Sequence, residues 1–483
     1  MDKQIDTLLK HDIIRPSESA YSSPILLVKK KGKAEYRCVI DFRKLNSQTV
    51  KSALPLPLLE ECLDNMGGSS SFCLVDFKSG FFQLELAEED KHKTAFTTGT
   101  ELYEFNRLPQ GLCNSPGTFQ ALMEKVLKGM NGKQCVIYLD DVCFFSKCFE
   151  DTFKALQEAF GRFRAANLTL RVDKCKFFMR EIKFLGHILN EQGIAPDPDN
   201  LIKVKEWPRP TNPKEVKGFV ALCGYYRRMV KDFAQIASPL HALTKKDVNY
   251  EWSEECEHAF TTLREKLVTQ PIVTYPNFDK PFALTCDASS NAVGAVLSQE
   301  VDGIDKVVYY YSASLSPTAR RYCTFDREFF AIVSAIRKFR HYLLGAKFTI
   351  YTDHQPLTRL RTLSLDRLTD PHNRRSRWMS EIDPLNWNIL YKPGSTNINA
   401  DQLSRHPSVV KEVLLRETNV TGETPVQENS VPYHLSEVTV IQGTTCNTGH
   451  DNSICNDNDT TTNVGQSPLN ASFQSCLRWR WRP

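Results

Sequence analysis

The sequence predicts a mixed protein of the α/β (α+β) class, with about three domains followed by a segment of different composition. Its 483 residues correspond to about three domains at roughly 150 residues each, and 41% hydrophobic residues are enough to build real cores. Short β-rich runs alternate with helical patterns through residues 1–193, and a second alternation of this kind begins at Lys280. The stretch between them is Pro-rich and then helical.

In chain order, Pro24 to Val28, Phe72 to Asp76 and Val136 to Phe145 read as strands. A helix is predicted to open with Ser115 as N-cap and Pro116 at its first position, with Phe119, Leu122, Met123 and Val126 on one face. Another runs from Asp151, with Phe153, Leu156, Phe160 and Phe163 at helical spacing; both sets read as plain core. From Ala195 the chain turns polar and Pro-rich, A-P-D-P-D-N and then W-P-R-P-T-N-P-K, before helices that run to about Gln270. Strands follow at K-P-F-A-L-T-C-D, V-G-A-V-L-S-Q-E and V-V-Y-Y-Y-S-A-S-L, then a helix from Asp326 to Leu344 and a strand at F-T-I-Y-T-D. The expected domains are therefore 1–193, 194–275 and 276–406. Residues 407–483 are rich in Thr, Asn and Ser with few aromatics, a composition expected to be disordered.

Composition excludes several classes. No apolar run approaches the roughly 18 residues of a membrane span, and the opening M-D-K-Q-I-D has no signal-peptide core. The 15 cysteines contain no C-x-x-C pair, and Cys73, Cys143 and Cys286 sit inside apolar runs, which points to buried free thiols in a reducing, cytoplasmic setting. The N-x-S/T triplets at Asn419, Asn458 and Asn470 are then chance. A net charge of +4 does not by itself require a polyanionic partner. The basic clusters at Lys29 to Lys33 and Arg359 to Arg377 suit phosphate backbones, though a solvated surface is the commoner meaning of such a cluster.

Asp140 and Asp141 lie between two apolar strands, and adjacent strand residues point to opposite faces. Both can serve one site only where the chain turns, so a hairpin tip is the natural reading, with an ordinary Asp-containing turn as the alternative. A second strand ends in Asp76. Three carboxylates at strand ends can hold two Mg²⁺ ions roughly 3.5 to 4 Å apart, the geometry nucleotidyl transfer needs. The motifs I-I-R-P-S-E-S-A-Y-S-S-P-I-L-L-V-K-K-K-G, Y-R-C-V-I-D-F-R-K-L-N, V-D-F-K-S-G-F-F-Q-L, L-P-Q-G-L-C-N-S-P-G-T-F-Q, Y-L-D-D and F-L-G-H-I-L-N follow one another from Ile13 to Asn190. In order and spacing this stretch resembles the polymerase domain of the reverse transcriptases of gypsy-class LTR retrotransposons.

The resemblance implies a right-hand polymerase fold of fingers, palm and thumb. It implies Asp76, Asp140 and Asp141 as a metal-binding triad helped by the Phe77 backbone, with Arg37 and Lys31 on the incoming triphosphate. Gln110 would touch nucleotide and template, with Gly111 permitting close backbone approach. Phe81 would sit beneath the sugar and exclude a 2′-hydroxyl, a core role beside Phe82 being the alternative. The segment F-L-G-H, near Phe184, would be the primer grip.

Asp287 and Asp353 each end a strand, Glu328 falls early in a helix, and Asp401 follows in N-I-N-A-D-Q-L-S-R. Together they describe a four-carboxylate, two-metal nuclease site. The motifs T-C-D-A-S, D-R-E-F-F-A-I, Y-T-D-H-Q-P-L and Y-K-P-G-S-T-N-I-N-A-D-Q-L-S-R resemble the ribonuclease H-like mixed-sheet domain that follows the polymerase in the same element class. Tyr391 stands ten positions before Asp401, where many ribonucleases H carry a His; gypsy-class enzymes resemble this arrangement. His354 should project away from the site and is expected to be structural.

The resemblance implies an RNA-directed DNA polymerase with ribonuclease H activity. Its partners are an RNA template, a DNA primer, RNA-DNA hybrid and dNTPs, with no membrane. Its cofactor is Mg²⁺, two ions per active site, with Mn²⁺ as an alternative, and its setting is cytoplasmic or within virus-like particles. Protease and integrase signatures do not occur, and the chain opens inside the family's usual start, so a truncated gene fragment or an aberrant gene model is expected. The competing reading is a catalytically silent remnant that at most binds nucleic acid. A DNA-templated polymerase is disfavoured, because only an RNA-copying enzyme needs a fused hybrid nuclease.

Overall fold

The structure, a computed structural model, describes residues 1–29, 36–246, 248–269, 272–361 and 374–393. Four sheets and the helices packed on them account for the chain so described. The first sheet orders Ile14–Pro16, Leu102–Phe105, Phe96–Thr97, Ser23–Lys29 and Tyr36–Ile40 side by side. The second orders Cys135–Tyr138, Asp141–Ser146, Ser71–Asp76 and Lys176–Met179, with the first three strands antiparallel. These strands carry apolar residues on both faces: Phe72, Cys73, Val75, Val142, Cys143 and Phe144 are all buried. Helices Ser115–Val126 and Phe149–Ala165 contribute Phe119, Met123, Leu156 and Phe163 to the core shared with this sheet.

Two details differ from the sequence reading. The N-cap of the first helix is Asn114, and Ser115 is already helical; its hydroxyl donates to the Pro109 carbonyl at 2.9 Å and anchors the preceding loop. The second helix begins at Phe149, and its buried stripe runs through Thr152, Ala155, Leu156, Ala159 and Phe163. Phe153 falls off that stripe and is exposed, stacking only on Phe149 one turn earlier.

A three-stranded sheet, Glu181–Phe184, His187–Asn190 and Gly193–Pro196, leads into the helical segment. Gly193 is required there, because a Cβ would lie 2.4 Å from the Val273 carbonyl oxygen that pairs with Ile194. The helices have explicit start signals. Asp197 accepts the Asp199 N–H ahead of Pro198–Lys205, and Asn212 accepts the Glu215 N–H ahead of Pro213–Tyr225, each with Pro at the first position. Glu215 in turn accepts the Thr211 N–H at 2.8 Å, a reciprocal cap.

The last sheet orders Ile304–Ser314, Ala292–Val301, Phe282–Ala288, Phe348–Thr352 and Trp387–Tyr391, the first three antiparallel and the last two joined in parallel. The amphipathic helix Thr324–Lys338 covers one face through Phe329, Ile332, Val333 and Ile336. The strand Trp387–Tyr391 and the helix Arg374–Ile382 were not legible in the sequence pattern.

The helical segment and the two flanking modules share one buried core, which runs from Phe72 and Cys143 through Phe219 and Phe260 to Tyr310. Polar groups sit inside that junction. Arg228, 3% exposed, donates from Nη2 to Asp64 Oδ1 at 2.9 Å, and Tyr342 donates its hydroxyl to Asp64 Oδ2. Nearby, Glu60 accepts from Tyr309 and, at 2.8 Å, from Lys338, and the Arg228 guanidinium lies 5.1 Å from the Tyr309 ring centre. Removing one partner of such a pair strands a buried charge. Arg228→Met is accordingly expected to destabilise the protein by about 3–5 kcal/mol. In urea melts the Asp64→Asn/Arg228→Met double variant should lose clearly less than the sum of the single losses, and strict additivity would show that the pair is not coupled.

Candidate functional site

The first site grows out of the Tyr138–Asp141 hairpin. Cys135–Tyr138 and Asp141–Ser146 pair with Tyr138 opposite Asp141, so Leu139 and Asp140 alone make the turn. Asp141 also stands opposite Asp76 on the neighbouring strand, which puts their side chains on the same face. The tip is strained: Leu139 has φ 56°, a left-handed conformation that costs a non-glycine residue about 1–2 kcal/mol. Burial, and then the charges of Asp140 and Asp76, push the Asp141 carboxyl up to about 6.

A cleft of about 290 Å³ opens beside the tip, lined by Asp76, Phe77, Phe81, Gln110, Asp140 and Arg37 among others. The structure thus brings together most of the residues singled out on the sequence. Arg37 is exposed on Tyr36–Ile40. Phe77 buries its ring against Phe119 and Phe163, at 5.8 and 5.2 Å between centres. Phe81 and Phe82 part company on a short 3-10 helix: Phe82 stacks on Phe105 inside, whereas Phe81 packs edge-on against Phe119 and reaches the cleft. Gln110 is exposed, and its loop turns at Gly111 with φ 101°. Asn46 holds that loop by donating to the Gly111 carbonyl and accepting the Cys113 N–H, both at 2.8 Å. Lys31 lies outside the described residues.

Three further groups were not anticipated. Lys174 and Arg171 line the same cleft, with Lys174 Nζ 3.9 Å from Asp76 Oδ2. Gln120, 2% exposed, accepts the Leu139 N–H at 2.7 Å. A lysine near D-K-C-K and the last residue of S-P-G-T-F-Q were visible in the sequence, but nothing local marks either one as adjoining the tip.

The segment F-L-G-H forms a second two-residue hairpin tip, with Phe184 opposite His187 and positive φ at both Leu185 and Gly186. Phe184 is buried. Tyr225 and Tyr226 donate their hydroxyls at 2.8 Å to the Leu185 and Gly186 carbonyls, so the tip is fixed from below by the helical segment.

The second site lies on the last sheet. Register pairing of Thr285 with Tyr351 carries Asp287 and Asp353 to the same end of two parallel strands, and Glu328 faces them from the helix Thr324–Lys338. One ligand atom from each of Asp287, Glu328 and Asp353 lies within 4.8 Å of the others, and among the described residues no other group of His, Cys, Asp or Glu does this. The carboxylates of Asp76, Asp140 and Asp141 are spaced more widely. Glu328 Oε2 is buried without a hydrogen-bond partner. An orphaned buried carboxylate oxygen beside two more carboxylates is a donor set for a hard divalent cation, so these residues fit Mg²⁺ or Mn²⁺. Burial, and then Asp287 and Asp353, push Glu328 up to about 8; burial and then Asp353 raise Asp287. Asp401 lies outside the described residues. His354 packs its ring against Phe325 at 5.9 Å, and Tyr391 is half-exposed opposite Thr352.

Of the described arginines in the basic stretch, Arg359, Arg361 and Arg377 are exposed, whereas Arg374 and Arg375 are partly buried. Arg374 and Arg375 donate to the buried Asp326 carboxylate at 2.8 and 2.6 Å, and Arg361 lies 4.4 Å from the Trp387 ring centre. Arg374 and Arg375 therefore serve packing of the module more than a phosphate surface. No helix among the described residues is long and apolar enough to cross a membrane.

Residues 28–189 match the family "Reverse transcriptase (RNA-dependent DNA polymerase)", and residues 252–350 match the "RNase H-like domain found in reverse transcriptase". The chain carries a reverse transcriptase domain followed by an RNase H-like domain. It is 38% identical over 429 residues to the retrovirus-related Pol polyprotein from transposon opus of Drosophila melanogaster, covering 86% of this chain and 42% of the relative. Against the Pol polyprotein from transposon gypsy of the same organism the identity is 38% over 423 residues, covering 84% and 40%. The chain is thus similar to part of these retrotransposon Pol polyproteins, and spans about two-fifths of the length of these relatives. Its fold is similar to that of the foamy viral protease-reverse transcriptase in complex with dsDNA, with TM-score 0.72 and 22% identity, covering 81% of this chain and 82% of that one.

The raised Glu328 carboxyl would make any cation binding at this triad proton-linked. A carboxylate lifted above its unfolded value contributes stability that is complete at acid pH and is lost as pH rises through about 8. A divalent cation needs the ionised form, so its affinity should rise with pH below that value, by up to about tenfold per unit. In calorimetry with buffers of different ionisation enthalpy, Mg²⁺ or Mn²⁺ binding should release protons near neutral pH, and Glu328→Gln should lose that release. A pH-independent affinity would remove Glu328 from the ligand set.

Proposed function

We propose that the chain is an RNA-directed DNA polymerase with hybrid ribonuclease activity, acting on an RNA or DNA template, a DNA primer and dNTPs. What carries this reading is the presence in one chain of two separate carboxylate sets, Asp76 with Asp140 and Asp141 beside a cationic cleft, and Asp287 and Asp353 at the end of another sheet with Glu328 from the helix packed on it. The fold neighbours support nucleic acid as the partner, since foamy viral protease-reverse transcriptase is described both with dsDNA and with RNA/DNA hybrid.

Asp76, Asp140 and Asp141 would hold Mg²⁺ at the first site and Asp287, Glu328 and Asp353 at the second, where the ions, when bound, activate the attacking hydroxyl or water and offset charge on the phosphate. Arg37 reaches the cleft from the first sheet with a planar fork of donors suited to triphosphate oxygens. Gln110 offers an amide at the mouth of the same cleft, on a loop that Asn46 holds still. Phe81 lines the cleft where a sugar would lie, and would select by collision with a 2′-hydroxyl without needing to bind the deoxy form tightly. At the second site Glu328 is buried and its carboxyl is pushed up to about 8, so its protonation would oppose assembly of a cation site. Asp401 and Lys31 are assigned with these groups from their motifs alone.

The two activities should separate by mutation. Asp140→Asn or Asp141→Asn is expected to lower primer extension on an RNA template by several orders of magnitude while sparing hybrid cleavage. Asp287→Asn or Glu328→Gln should do the reverse. Near wild-type extension by both tip variants would sink the polymerase assignment, and persistent cleavage after the Asp287 change, with contaminating nucleases excluded, would sink the nuclease assignment.

Phe81→Val should raise the efficiency of rNTP relative to dNTP incorporation. If Phe81 were core filler alone, the same change would cost about 2–4 kcal/mol, somewhat below the usual loss for a buried Phe cut to Ala, with no change in the sugar ratio. Measuring the ratio beside a melting curve separates the two, and an unchanged ratio removes Phe81 from the site.

A further inference from the structure

We propose that Gln120 is a positioning residue for nucleotide addition, which acts through the Leu139 backbone to hold the Asp140–Asp141 tip in its left-handed turn. The inference rests on the polymerase reading above. It begins from a conflict: the turn needs a positive φ at position 139, and the sequence supplies leucine there in place of glycine. A residue kept in that region persists only where its surroundings over-determine it.

Gln120 supplies the constraint. It lies on the helix Ser115–Val126 and is 2% exposed. Its Oε1 accepts the Leu139 N–H at 2.7 Å, while Nε2 donates to the Ile137 carbonyl at 3.2 Å and to Glu124 Oε1 at 2.9 Å. The amide therefore grips the hairpin on both sides of Tyr138. Flipping it would set its NH₂ group against the Leu139 N–H, so the three bonds fix its orientation. Asparagine is one methylene too short to span the same groups. Glutamate keeps the acceptor but loses both donors and places a second carboxylate beside Glu124. Gln120 does not line the cleft, so its effect must pass through the tip.

The test uses the full chain with Gln120→Leu, alone and combined with Leu139→Gly. Gln120→Leu is expected to slow primer extension about 10- to 100-fold, the range a displacement near 1 Å produces. It should also raise the Mg²⁺ concentration for half-maximal extension several-fold, with the dNTP KM within about twofold and hybrid cleavage unchanged. Leu139→Gly should recover much of the lost rate in the Gln120→Leu background, because glycine adopts the turn unaided. Wild-type extension by Gln120→Leu, parallel loss of both activities, or no recovery by glycine would overturn the proposal. Hydrogen exchange at the Leu139 amide reads the clamp without any activity: it should be slow in the wild type and fast in Gln120→Leu, and equal rates would overturn the proposal. A wild-type chain that does not extend primers at all would instead overturn the polymerase reading, with the exchange result still deciding the clamp.

Discussion

The ion pair between Asp64 and Arg228 is the constraint on which the arrangement of the molecule depends. It joins a short helix under the second sheet to the helical segment, and the Tyr342 hydroxyl on the same carboxylate ties in the last module. Glu60, Lys338 and Tyr309 repeat the connection a turn away. Buried charges rarely add net stability over an apolar filling, but they penalise every arrangement that leaves one of them unpaired. The surrounding core, from Phe72 to Tyr310, supplies the cohesion, and the polar groups select the docking in which Asp64 meets Arg228 and Tyr342.

The two carboxylate sites are built against the interests of stability. At the first, a leucine occupies a left-handed turn and Asp141 is desolvated beside two other acids. At the second, Glu328 is buried with an oxygen that no protein donor meets. Such costs are tolerated where the surrounding scaffold is over-determined, and each site has a rigid support: the Gln120 amide behind the hairpin, and the apolar face of Thr324–Lys338 behind Glu328. In both, the like charges and the strain are paired with a rigid second element.

Much of this was legible in the sequence, for identifiable reasons. Two adjacent aspartates between apolar runs can share a site only at a turn, and the hairpin lies at that place. Alternation allowed only one of Phe81 and Phe82 to face outward, and Phe81 is the one that lines the cleft. The unread parts depend on contacts distant in sequence. Gln120 meets Leu139 from another element, Lys174 reaches Asp76 across nearly a hundred residues, and the arginines at 374 and 375 read as a basic cluster because nothing local reveals that Asp326 lies between them. Phe153 kept helical spacing with the core residues yet sits off the buried stripe, since periodicity fixes a face only to within one position.

The docking at Asp64 has a consequence for any duplex that occupies both sites. Because the same buried groups fix the reverse transcriptase and RNase H-like domains in one body, the path between the Tyr138–Asp141 tip and the Asp287–Glu328–Asp353 cluster is a set length of the fold. A duplex that reached both carboxylate sets would therefore meet them at one separation, set by the protein and not by the duplex.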